Sequence, residues 1–295
     1  MKPHDFSFLI RFLLILLFRF VIESVADPRA TEVALICSNN TASPLERSTF
    51  VANFLATMDA VTPLIASQRF ANVVNGTGNT TVYAFGQCMN DLTQSDCDLC
   101  FAQMKTQILR CLPFQLATRG GRLFYDGCYV RYDYYNFFNE SLSAVDRPVC
   151  GKVDYRGNRT IFSDNAMKLA RNLSVVAPKN DGFAVGMVDF RNVSVYGLAQ
   201  CWKFVRGDSC SKCLADAAKE IATCPPKADG RVLNSGCFFR YSTERFYFNS
   251  TATATGGNGE FGLVYLQMYC LMICLFTWLL LISLMPCFFY CSWVE

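Results

Sequence analysis

Twelve cysteines between residues 37 and 237 fall into two sets of six with nearly the same spacing, and no other feature restricts the fold of this 295-residue chain as strongly. The gaps run 51, 9, 3, 11 and 17 through Cys37, Cys88, Cys97, Cys100, Cys111 and Cys128. They run 51, 9, 3, 11 and 13 through Cys150, Cys201, Cys210, Cys213, Cys224 and Cys237. Each set contains C-x8-C-x2-C. Other residues repeat with the sulfurs: Tyr83-x3-Gln87-Cys88 returns as Tyr196-x3-Gln200-Cys201, and Gly127-Cys128-x2-Arg131-Tyr132 as Gly236-Cys237-x2-Arg240-Tyr241. The chain is therefore expected to hold two tandem modules, residues 27–142 and 143–252, each of ordinary domain size at about 100 residues.

The spacing admits a metal knuckle, a redox dithiol or a disulfide framework. A zinc site wants a second close cysteine pair at ribbon spacing, and neither set has one. A thioredoxin-like site wants its dithiol at a strand-to-helix turn of a βαβ unit, with one thiol kept reactive. Six cysteines per small secreted module read as a disulfide framework, whose connectivity stays open among fifteen possibilities. Neither a metal nor a cofactor is expected. The one histidine, His4, lies in the first few residues. Without it, neither a Ser-His-Asp nor a Cys-His arrangement can form, and a non-enzymatic role is expected. With residues 1–26 set aside, 24 basic residues face 22 acidic ones along the chain, too even a balance for a nucleic-acid partner.

The two ends address the chain. Residues 1–26 place Lys2 and Arg11 before the apolar run Phe12–Phe18 and end Ser24-Val25-Ala26, the pattern of a cleaved secretory signal peptide. Secretion agrees with eight Asn-x-Ser/Thr acceptors, at Asn39, Asn75, Asn79, Asn139, Asn158, Asn172, Asn192 and Asn249. A Gly-rich linker is expected over 253–262, and Phe261 to Val294 has no Asp, Glu, Lys or Arg. That is longer than the ~20 residues a membrane span needs, so 263–295 is expected to carry a single transmembrane segment, with a glycolipid-anchor signal as the rival. The expected location is the plasma membrane with extracellular modules, or the space outside the cell if the tail does not anchor.

Hydrophobic periodicity gives coarse elements. Phe50, Val51, Phe54, Leu55, Met58 and Val61 form a helical stripe that Pro63 is expected to end. Thr80 to Phe85 reads as a strand, and Cys97, Cys100, Phe101, Met104, Ile108 and Cys111 lie on one face of a second helix. Arg122 to Tyr132 is aromatic and β-branched, which suits strands. Module two repeats this order, with Cys210, Cys213, Leu214, Ala217, Ile221 and Cys224 on its helix. Two helices over an antiparallel sheet, an α+β module used twice, is the economical arrangement.

These motifs, with the block Gly120-Gly-Arg-Leu-Phe-Tyr-Asp-Gly-Cys-Tyr-Val-Arg-Tyr132, resemble the plant ginkbilobin-type cysteine-rich repeat over about residues 30 to 250. The resemblance implies two helices packed on a five-stranded antiparallel sheet in each module. It implies the bridges Cys37–Cys111, Cys88–Cys97 and Cys100–Cys128, then Cys150–Cys224, Cys201–Cys210 and Cys213–Cys237. In the single-module antifungal member, an Asn, an Arg and a Glu bind mannose; the matching places here are Ser38, Arg122 and Asp133 in module one. Module two has Gly151, Arg231 and Ser242, so only the arginines persist in both. The competing expectation is that Arg122 and Arg231 cap strand ends or pair locally. Tandem modules resemble receptor-like kinase ectodomains most, beside plasmodesmata-located and secreted repeat proteins. Gly257-x-Gly-x-x-Gly262-x-Val264 matches a kinase glycine loop or a flexible linker, and the strand Lys, H-R-D and D-F-G of a kinase are not in this sequence. The resemblance implies an extracellular recognition role in stress or defence signalling, with a cell-wall carbohydrate or a receptor ectodomain as partner; a secreted lectin-like defence protein binding mannose-type glycans, or a plasmodesmata-located-type membrane protein, is the alternative.

Overall fold

The computed structural model describes residues 29–111 and 116–248. The signal peptide, Asn249, the Gly-rich linker, the glycine-loop match and the hydrophobic tail of the sequence reading lie outside the described residues.

Module one begins with β1 (Glu32–Cys37), followed by α1 (Arg47–Gln68), β2 (Phe70–Asn75) and β3 (Val82–Cys88). It continues with α2 (Gln94–Gln107), β4 (Gly120–Tyr125) and β5 (Cys128–Asp133). Its sheet has the antiparallel order β1-β4-β5-β3-β2. Module two comprises β6 (Arg147–Cys150), α3 (Arg159–Val176), β7 (Phe183–Phe190), β8 (Val193–Cys201), α4 (Asp208–Glu220), β9 (Asp229–Leu233) and β10 (Cys237–Ser242). Its order, β6-β9-β10-β8-β7, is the same topology repeated.

Each helix pair covers one sheet face. Phe50, Phe54, Met58, Val61 and Ile65 of α1 are buried there, and Phe54 meets Tyr132 of β5 edge-on at 4.6 Å. Pro63 does not end this helix, which runs on to Gln68. Proline removes one main-chain donor. Val61 and Ile65 are both buried, so the apolar stripe carries the helix past it. The helix closes at Arg69, whose left-handed backbone (φ 68°) donates its N–H to the Ile65 carbonyl. For α2, Thr93 is the N-cap: its Oγ1 accepts from the Asp96 N–H and donates to the Asp96 carboxylate. The strand expected from Thr80 begins instead at Val82, because Gly78–Thr80 form a 3-10 turn.

Six disulfides fasten these layers. Cys88–Cys97 ties the end of β3 to α2, Cys100–Cys128 ties α2 to β5, and Cys37–Cys111 ties β1 to the 3-10 turn after α2. Cys201–Cys210, Cys213–Cys237 and Cys150–Cys224 repeat that scheme in module two. The partners are those of the family pairing, and the twelve sulfurs are structural.

Strand side chains alternate between faces. The face of each sheet away from its helices packs on the other module, and residues 29–248 belong to one compact unit. Tyr129 of β5 stacks on Trp202 with centroids 4.4 Å apart, and Phe85 of β3 meets Phe204 edge-on at 4.6 Å. Leu198, Leu233 and Phe238 of module two share the core cluster of module one. The repeated glutamines reach across reciprocally: Gln87 Oε1 accepts from the Lys203 N–H and Gln200 Oε1 from the Asn90 N–H, both at 2.8 Å. Gln200 also donates to the Cys88 carbonyl at 3.0 Å.

Candidate functional site

Because β4 is the second strand of its sheet, Arg122 at its middle is surrounded on both sides, and the interface residues and the ligand candidates come from the same strands. Arg122 is buried, and its Nη1 donates to Ser235 Oγ of module two at 2.6 Å and to Ser143 Oγ at 3.0 Å. It makes ion pairs with Glu140 at 3.1 Å and Asp146 at 3.4 Å. Asp146 in turn accepts from the Ser235 N–H and hydroxyl. Arg231 occupies the same register in module two and grips Asp126 of module one in a two-pronged pair, Nε at 2.6 Å and Nη2 at 2.7 Å. Its Nη1 holds Asp229 locally. Both arginines therefore pair, as one of the two expectations had it, but their partners include residues of the other module. Planar, bidentate donors suit such partly desolvated pairs.

Ser38, Arg122 and Asp133 nonetheless converge: all three line one cavity of about 300 Å³ in module one. Its walls also include Asn39, Asn40, Gly120, Tyr134 and Tyr135. Ser38 Oγ accepts from the Asn40 N–H at 3.0 Å. Asp133 Oδ2 accepts from Arg131 at 3.1 Å and Oδ1 from the Tyr134 N–H at 3.2 Å, which leaves lone pairs on each oxygen. Burial raises the Asp133 carboxyl above its ordinary pKa, outweighing the lowering by Arg131. Tyr135 is fixed by donating to Glu140 at 2.9 Å, and Tyr134 lies under the Arg119 guanidinium at 4.3 Å. Burial acts to raise Glu140, but the Arg131 hydrogen bond and charge, with Tyr135 and Arg122, hold it below its usual range.

The repeat partner of this cleft is closed. Gly120 pairs with Asp133 across the sheet, and Asp229 pairs with Ser242 at the same register. A Cβ on Gly120 would lie 2.9 Å from Asp133 Oδ1, so the missing side chain keeps that carboxylate accessible. In module two, Asp229 fills the place against Gly151 and pairs with Arg231 and Arg240. Ser242 lines a different polar cavity of about 260 Å³ with Asp126 and Arg240. Gly151, Arg231 and Ser242 thus do not form one open site. Sequence reasoning missed Gly120, Tyr134, Tyr135 and the Glu140–Asp146 clamp; comparing Gly120 with Asp229 between the repeats would have revealed the first.

The glycosylation acceptors in the described residues sit at the surface, with Asn75 half-buried. Asn158 Oδ1 caps α3 by accepting from the Ile161 N–H. Asn192, in left-handed backbone (φ 59°), forms with Arg191 the two-residue turn between β7 and β8.

Comparison with known proteins agrees with this architecture. The salt stress response/antifungal family model matches twice, over residues 36–135 and 149–244. Cysteine-rich receptor-like protein kinase 2 of Arabidopsis thaliana is 35% identical over 231 residues, covering 76% of this chain and 34% of the kinase. Cysteine-rich receptor-like protein kinase 42 of the same plant is 34% identical over 249 residues, covering 83% of this chain and 36% of the kinase. The chain thus spans about a third of the length of these relatives. The antimicrobial ginkbilobin-2-like protein of Castanea crenata is 27% identical, covering 68% of this chain and 82% of that protein. The crystal structure of the tandem DUF26 ectodomain of the cysteine-rich receptor-like protein PDLP8 of Arabidopsis thaliana superposes with a TM-score of 0.62 at 22% identity, over 72% of this chain and 98% of that one, a likeness of fold. With two matched modules, each a five-stranded sheet under two helices and three disulfides, this chain belongs to the salt stress response/antifungal (DUF26) family.

Proposed function

We propose that this protein is a non-catalytic recognition protein of the plant cell exterior that binds a cell-wall or apoplastic saccharide in the module-one cleft. The observation that carries the reading is Gly120, which leaves Asp133 open to the cavity where Asp229 fills the equivalent place in module two. The lining chemistry suits a sugar: a carboxylate with spare acceptor capacity, the amides of Asn39 and Asn40, and two tyrosines held in place. Arg122 takes part as a wall and not as a free hydrogen-bonding arm, since Glu140, Asp146 and Ser235 hold its guanidinium. In this reading the ligand is gripped by Asp133 and the asparagines.

The test is a glycan array probed with the intact protein and with Gly120→Asp, which sets the side chain found at this place in module two in front of Asp133. Binding of mannose-type glycans by the wild type, lost in the variant, supports the cleft; equal binding by both refutes it. Receptor-type anchoring through residues 263–295 is part of the same proposal. Recovery of the protein in the membrane fraction supports it, and recovery only in soluble apoplastic fluid favours the secreted, lectin-like alternative.

A further inference from the structure

The cleft has a candidate occupant on the chain itself. Asn39 is both part of its lining and the acceptor of an Asn39-Asn40-Thr41 glycosylation triplet. The segment that carries it is held on both sides. Ser38 N–H donates to the Gly120 carbonyl at 2.9 Å, Arg119 N–H to the Asn40 carbonyl at 2.8 Å, and Ala42 N–H to the Ala117 carbonyl at 3.0 Å. The Ser38 hydroxyl accepts from the Asn40 N–H, which fixes the turn with exposed Asn39 at its apex. None of the other acceptors among the described residues lines this cavity.

We infer that the first sugars of an N-glycan on Asn39 seat in the module-one cleft, so that glycosylation at this residue sets how open the cleft is to other saccharides. The inference rests on the saccharide reading above and names its regulator. The chemistry matches at both ends: sugar hydroxyls and the acetamido N–H of N-acetylglucosamine donate, and Asp133 accepts. A short tether makes the seating intramolecular, with an effective concentration on the order of 10 mM. Where that effective concentration is about ten times the pocket's Kd, occupancy weakens binding of a free competitor about tenfold.

Thr41→Ala removes the acceptor triplet and leaves the Asn39 side chain in the wall; Ser174→Ala, which removes the Asn172 triplet on α3, is the control. Two readouts are taken on protein secreted from plant cells. The first is calorimetric affinity for mannotriose, expected about tenfold tighter for Thr41→Ala than for wild type or Ser174→Ala. The second is the rate at which a peptide-N-glycosidase releases each glycan from the native protein. The Asn39 glycan is expected to leave more slowly than that on Asn172, and faster in Gly120→Asp or Asp133→Ala.

Equal affinities with equal release rates overturn the inference, as does mass spectrometry showing no glycan on Asn39. If no form binds mannotriose while the Asn39 glycan is still protected, the seating stands and the recognition of free mannose-type sugars falls.

Discussion

At the scale of single residues, the site depends on which charges are already paired. Asp133 is buried, and its raised pKa says that the neutral form is favoured on folding. Its ionised form above that pKa is therefore a burden on stability, and in the proposed function it is the form that accepts from a sugar hydroxyl. Asp133→Ala is expected to abolish mannotriose binding while changing unfolding free energy by no more than about 1 kcal/mol, measured by urea titration beside calorimetry. Arg122→Ala is the opposite case. It takes from Asp146 its cation and leaves Glu140 with Arg131 alone, and breaking such a buried cluster costs about 3 kcal/mol; a variant as stable as the wild type would contradict the clamp. Glu140 adds a pH dependence. Its folded pKa is depressed below 4.5, so its contribution is complete above the unfolded value and disappears as pH falls through the folded one. Glu140→Gln is expected to lose stability at neutral pH and to show a flatter decline below pH 4.5 than the wild type, in thermal melts across that range. Arg122 was legible in the sequence as a position worth watching. Its partners were not, because Ser235 lies 113 residues away and no local pattern announces the pairing.

At the scale of elements, the sequence was most legible where sulfur and hydrophobic period coincide. Cys97, Cys100, Phe101 and Met104 are buried together on α2, as the three-and-four spacing demands. Pro63 misled because a local rule was applied to a helix whose stability comes from burial on both sides of the proline. The bridges differ in what they constrain. Cys88–Cys97 closes a separation of 9 residues, and Cys37–Cys111 one of 74. Loop-closure entropy makes the longer bridge worth about 2 kcal/mol more. Paired replacement of Cys37 and Cys111 by alanine is expected to lower the urea midpoint further than paired replacement of Cys88 and Cys97. The reverse order would mean that strain or residual unfolded structure, and not closure entropy, governs these bridges.

At the scale of the whole molecule, the repeat is legible in the spacing, but its consequence is not. Identical residue positions in each copy, Gln87 with Gln200 and Arg122 with Arg231, become reciprocal contacts because the second faces of the two sheets meet. A lone module would lose the cover that Phe204 and Trp202 give Phe85 and Tyr129, and aromatic faces of that kind suit an interface and not a free surface. The modules are therefore expected to unfold as one. Trp202 supplies the probe: it is the only tryptophan in residues 27–248, and it is stacked on Tyr129 across the interface. In a secreted 27–248 chain, its fluorescence reports separation of the modules while far-ultraviolet dichroism reports loss of the sheets. Coincident urea transitions are the outcome required of a single cooperative unit. A fluorescence change that precedes the loss of dichroism would instead show two domains that part before they unfold. Tethered beads of that kind could each meet a ligand independently, whereas a fused pair fixes the open cleft of module one at a constant distance and angle from the closed one.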